Sequence, residues 1–158
     1  MTDPSATAAP EGATSPPRPP PAPRARYRRF VPLATRWSDN DAYGHLNNVV
    51  YLSLFDSAVN AELVGAGVLD IERSDIIGVV VETQCHFFSA LSFPQALEAG
   101  LAVARIGRSS VTYEIGIFGP GAAETAAHGR FVHVYVDRAT RRPMPLTPPM
   151  LAFVEALR

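Results

Sequence analysis

The chain has 158 residues, 47% of them hydrophobic, enough to build one domain around a sizeable core. Fourteen basic residues, every one an arginine, against fifteen acidic ones leave a formal charge of −1, which excludes a general attraction to nucleic acid or to an anionic membrane. A single cysteine, Cys85, excludes an internal disulfide, and no charged-then-apolar leader opens the sequence, so a reducing cytoplasm is the expected location.

Residues 1–26 carry eight of the fifteen prolines, with Ala, Ser and Thr between them, and are expected to form a disordered tail, dispensable for turnover, ahead of a domain over 27–158. Alternation from Phe30 to Trp37 predicts a first strand, which Pro32 marks as an edge. A polar loop follows, dense in Asp39, Asp41, His45, Asn47 and Asn48. From Asn48 to about Gly65 apolar residues cover nearly the whole circumference of a helix about 27 Å long, which predicts that protein surrounds it. Asp56, Asn60 and Glu62 interrupt this segment, so it is not expected to cross a membrane.

Four strand-like runs come next, over 79–90, 95–106, 109–118 and 124–137, with turn signals between them. In the first, strict alternation sets Val79, Val81, Thr83, Cys85 and Phe87 against Val80, Glu82, Gln84, His86 and Phe88. Short turns imply an antiparallel meander. Pro148 then opens a short last helix. The fold class is therefore α+β, a curved antiparallel β-sheet wrapped around a long central helix.

The polar loop at the helix entrance is the candidate site. Free backbone N–H groups at a helix start suit a developing oxyanion, and a nearby carboxylate can deprotonate water or attack a carbonyl. Asn47 and Asn48 have the chemistry of helix caps, Tyr51 packs in a pocket or interface, and His45 orients the loop through a ring nitrogen or acts as an acid/base. Asp39 and Asp41 both fit Asx turns, Asp39 above all, and Asp39 is an alternative active carboxylate that its distance from the helix disfavours; two acids two residues apart also invite coupling that raises one pKa. His86, His128 and His133 are spaced for no metal site, and no cofactor is expected. Arg108, Ser109 and Ser110, in a turn between two strands, suit phosphate groups, with Arg141 and Arg142 as weaker candidates.

The element order and the string Asp41-Ala-Tyr-Gly-His45-Leu-Asn47-Asn48-x-x-Tyr51 resemble the hotdog-fold acyl-CoA thioesterases, and within them the 4-hydroxybenzoyl-CoA thioesterase-like branch. The resemblance covers residues 30–157. It implies Asp41 as the catalytic carboxylate, an amide at or next to Asn48 polarising the thioester, and Arg108 and Ser109 on the CoA phosphates. It also implies a homodimer, or a homotetramer of paired dimers, with the site at the dimer interface. Hydration of an acyl-CoA is disfavoured, because that signature places Asp and His five apart across D-x-N-P, whereas Asp41 and His45 are four apart. An idle acyl-CoA-binding protein, or hydrolysis of acyl carrier protein thioesters, remains an alternative.

Overall fold

In the computed structural model, which describes residues 18–158, the long helix α1 runs from Asn48 to Gly65. It begins where the Asn47 side chain accepts the Val49 N–H at 3.2 Å, meeting one of the donors a helix start leaves open. Tyr51, Leu54, Phe55, Ala58, Val59 and Leu63 are buried, a stripe at the three- and four-residue spacing of one helix face. The rest of the apolar circumference is bare: Val49 is 63% exposed, Leu52 41% and Val64 42%. Within one chain the expected surrounding of this helix is therefore not met, because a single sheet covers a single side.

That sheet contains β1 (Arg29–Leu33), β2 (Ile76–Phe87), β3 (Leu97–Ile106), β4 (Ser110–Phe118) and β5 (Ala127–Asp137). Its order is β1-β3-β4-β5-β2, with every neighbouring pair antiparallel. Only β3, β4 and β5 form a meander. The expectation that β2 continues it is corrected: β4 and β5 lie between β2 and β3, and the connection 88–96 passes from the β2 edge across to β3, next to the opposite edge strand β1. Strand β1 ends at Leu33, not Trp37, since its partner β3 begins at Leu97, opposite Leu33. A bulge between Val80 and Glu82 breaks the alternation expected in β2. Val80 opposes His133 and Thr83 opposes Phe131, so Val80 joins the face of Thr83, Cys85 and Phe87.

Phe55 of α1 rests on Gly129 of β5, where a Cβ would strike both its ring and the Gln84 carbonyl. A final helix, α2 (Pro148–Ala156), is capped by Thr147 and buries Met150 and Val154 in the same core. Residues 18–26, assigned above to the tail, belong to the folded body: Ala22 is buried, and Pro23 bridges to Glu124. The remainder of the expected tail, 1–17, lies outside the described residues. Among the described residues no helix is long and apolar enough to cross a membrane.

Candidate active site

The polar loop is held by short backbone bonds before any side chain reaches outward. The Asn47 N–H donates to the Asp39 carbonyl at 2.8 Å, Asp41 N–H to His45 carbonyl at 2.8 Å, and Leu46 N–H to Leu91 carbonyl at 2.7 Å. Gly44 takes a φ of +82°, which lets the chain reverse between Asp41 and His45. Leu46, 4% exposed, pins the loop to the core.

Asp39 is buried and pairs with Arg36, not with Asp41. Its carboxylate accepts the Arg36 backbone N–H at 2.7 Å and the guanidinium at 2.8 and 3.0 Å. These bonds hold the carboxyl below the usual carboxylate range. Asp39 thus clamps the 3₁₀ turn Trp37–Asp39 rather than forming the expected Asx turn. The Asx turn belongs to Asp41, whose Oδ1 accepts the N–H of Tyr43 at 2.8 Å and of His45 at 3.3 Å. Its Oδ2 has no hydrogen-bond partner among the described residues. His45 is tied to the loop through its backbone N–H and is one of the residues lining the cleft.

Asp41, His45, Asn47, Asn48 and Tyr51 all line one open cleft of about 480 Å³. Its opposite wall is Phe87, Phe88, Ser89 and Ala90 at the end of β2, which the sequence did not point to; only the topology brings that strand end to the helix entrance. Tyr51 packs edge-on against Phe87 with ring centroids 5.0 Å apart, and burial pushes its hydroxyl pKa up. Asn47 occupies the Val49 N–H, while the N–H of Asn48, the first helical residue, has no partner among the described residues.

Arg108, Ser109 and Ser110 lie elsewhere in the chain. Ser110 is level with Val134 and Val79, whereas the cleft's Phe87 is level with Ala127. The seven-residue step along β5 from Val134 to Ala127 puts about 23 Å of strand between them. Arg141 and Arg142 close the turn after β5 at that same far end. Glu82 faces Arg130 at 3.9 Å, Asp56 bonds Asn60 on the bare side of α1, and burial pushes the Cys85 thiol up to about 12. None of these three lines the cleft. Among the described residues no group of three His, Cys, Asp or Glu side chains is placed to hold a metal ion.

A five-stranded antiparallel sheet around a long helix, with a polar loop at the helix entrance, defines a hotdog-fold protein. Residues 35–154 match the model of the thioesterase-like superfamily, and the chain belongs to that family. The coarse activity this membership supports is thioester hydrolysis. The solved structure of the PA5185 protein from Pseudomonas aeruginosa is 47% identical, with a TM-score of 0.86, covering 88% of this chain and 97% of that one. PA2801 from the same organism, described as a putative thioesterase, is 26% identical with a TM-score of 0.73, covering 80% and 97%. Slr0204 from Synechocystis, a 1,4-dihydroxy-2-naphthoyl-CoA thioesterase, shares the fold at 17% identity and a TM-score of 0.71, covering 79% and 93%. No protein of curated function matches the chain.

Proposed function

We propose that the protein hydrolyses acyl-CoA thioesters to a free acid and CoA, with Asp41 acting on water or on the thioester carbonyl and the Asn48 N–H receiving the oxyanion. The observation that carries this reading is the unpartnered Asn48 N–H at a helix start, in the same cleft as an Asp41 whose Oδ2 is uncommitted. As water attacks, the carbonyl oxygen gains charge that an amide at the positive end of the helix stabilises. Asp41 takes the proton of that water, the C–S bond breaks, and the thiolate leaves as CoA once protonated. In the nucleophilic variant Asp41 forms an anhydride first, and water opens it in a second step. His45 orients the loop, and Asn47 decides which amide stays free.

The reading includes a homodimer formed along the β2 edge. Antiparallel pairing of two β2 strands sets the Val79 end of one copy beside the Phe87 end of the other, so the 108–110 turn of a second copy approaches this chain's cleft. Arg108, Ser109 and Ser110 then bind the CoA phosphates across the interface. Pairing of such dimers into a tetramer uses other surfaces.

Thiol release from a panel of short, long and aromatic acyl-CoAs tests the assignment. Wild type is expected to turn over at least one member, and Asp41→Asn to lose about 10²-fold or more in kcat while keeping its fold. Undiminished turnover in that variant removes Asp41 from the chemistry. A single turnover in ¹⁸O-water separates the routes: direct attack by water puts the label in the product acid, whereas an anhydride opened at the Asp41 carbonyl releases an unlabelled acid and leaves the label in the Asp41 carboxylate.

A further inference from the structure

Residues 19–28 cross the outer face of the sheet, the side away from α1, in a track built to receive them. Gly100 of β3 and Gly116 of β4 are register partners, and a Cβ at either would collide with the Tyr27 ring. Tyr27 lies over them with Phe118 and Ala102, forming a buried cluster apart from the main core. Its hydroxyl bonds His128 Nδ1 at 2.7 Å. Upstream, Ala22 N–H donates to Thr125 Oγ1 at 2.9 Å, and its carbonyl accepts the Thr125 N–H at 3.0 Å. The strap is thus anchored at both Ala22 and Tyr27.

Its arginines differ in their partners. Arg24 pairs with Glu98 at 2.8 Å and Arg26 with Glu114 at 2.7 Å. Arg18 has no carboxylate partner among the described residues, and its guanidinium lies 4.9 Å over the ring of Phe88. Phe88 lines the cleft that holds Asp41 and Asn48. Between Arg18 and the Ala22 anchor stand Pro19, Pro20 and Pro21, each with φ fixed by its ring, so the arm delivering the cation is stiff and about 12 Å long. Asp41 is the one carboxylate among the lining residues, and it repels an anionic substrate.

From this geometry we infer that Arg18 is a substrate-binding residue, a guanidinium stacked on Phe88 of the cleft wall that grips a phosphate of the CoA handle. The inference rests on the acyl-CoA reading above. Stacking on Phe88 restrains the guanidinium in advance while leaving its N–H edge open to phosphate oxygens. It adds to the phosphate contacts from the 108–110 turn of a second copy, since CoA carries three phosphates and one turn need not meet all of them.

Titration calorimetry of the full chain with CoA, and with pantetheine as a phosphate-free probe, tests it. Arg18→Ala is expected to weaken CoA about 3- to 10-fold, raise KM for an acyl-CoA by a similar factor with kcat retained, and leave pantetheine unaffected. A chain lacking 2–17 is expected to match wild type, and one lacking 2–18 to match Arg18→Ala. Equal CoA affinity in wild type and Arg18→Ala overturns the inference. So does an equal loss for pantetheine, which assigns Arg18 to packing on Phe88, and so does a wild type that binds no CoA. Absence of thiol release by wild type defeats the hydrolase reading alone, because CoA titration still reports on Arg18.

Discussion

His133 is 2% exposed, ringed by Tyr113, Phe131 and Tyr135, and neither of its nitrogens has a hydrogen-bond partner among the described residues. Burial disfavours its charged form and pushes its pKa down to about 4, below the ordinary 6.5. The unfolded chain therefore takes up this proton before the folded one does. The contribution of His133 is fully present above pH 6.5, declines as pH falls from 6.5 to 4, and amounts to about 3 kcal/mol in all. Denaturant unfolding at pH 7.5 and 4.5 is expected to show this loss, and His133→Phe to reduce it. A wild-type stability unchanged across that window contradicts a neutral buried His133. His128, hydrogen-bonded to Tyr27, is displaced downward too, chiefly by burial, so part of the pH dependence survives in the variant. The sequence marked both histidines as strand residues outside any metal set, but not their burial: the bulge in β2 and the strap on the outer face decide what covers them.

At the scale of elements, α1 depends on its first residues and on the strand beneath it. Asn47→Ala removes the bond to Val49 N–H and is expected to cost about 1 kcal/mol of stability. Turnover is expected to fall by more than that loss explains, because an uncapped entrance no longer fixes the Asn48 amide; kcat measured well below the melting temperature separates the two effects. Gly129→Ala is more severe. Its Cβ meets the backbone carbonyl of Gln84 as well as Phe55, and the carbonyl is held in the ladder, so the variant is expected to lose about 1–3 kcal/mol in denaturant unfolding. Both ends of α1 were legible because Asn47 and the glycines after Val64 are local signals. The pairing of β2 was not, since no residue within the connection 88–96 says which edge the chain goes to next.

For the whole molecule, the unpartnered surfaces converge. Strand β2 is an edge twelve residues long with Val79, Val80, Val81 and Phe87 at 36% to 59% exposure, and α1 leaves Val49 and Leu52 bare. A long apolar edge of this kind is a liability unless another chain covers it. Light scattering on the eluting protein is expected to give a dimer or a tetramer. Val81→Glu, placed at the bulge of that edge, is expected to shift it toward monomer and to lower turnover in parallel. A monomeric wild type with full activity refutes the shared site.

The apolar periodicity, the Asn47 cap and the Asp41-to-Tyr51 spacing by themselves determined the helix, the existence of five strands and the residues at the helix entrance, because each depends on neighbours within one or two turns of chain. The far wall of the cleft at Phe87 to Ala90, the clamp of Arg36 on Asp39, the path of the strap to Phe88 and the bare face of α1 were decided only by the tertiary structure. Each of these, apart from the clamp, joins residues tens of positions apart, and the clamp depends on the burial of Asp39, whose carboxylate is satisfied by the Arg36 guanidinium and backbone N–H.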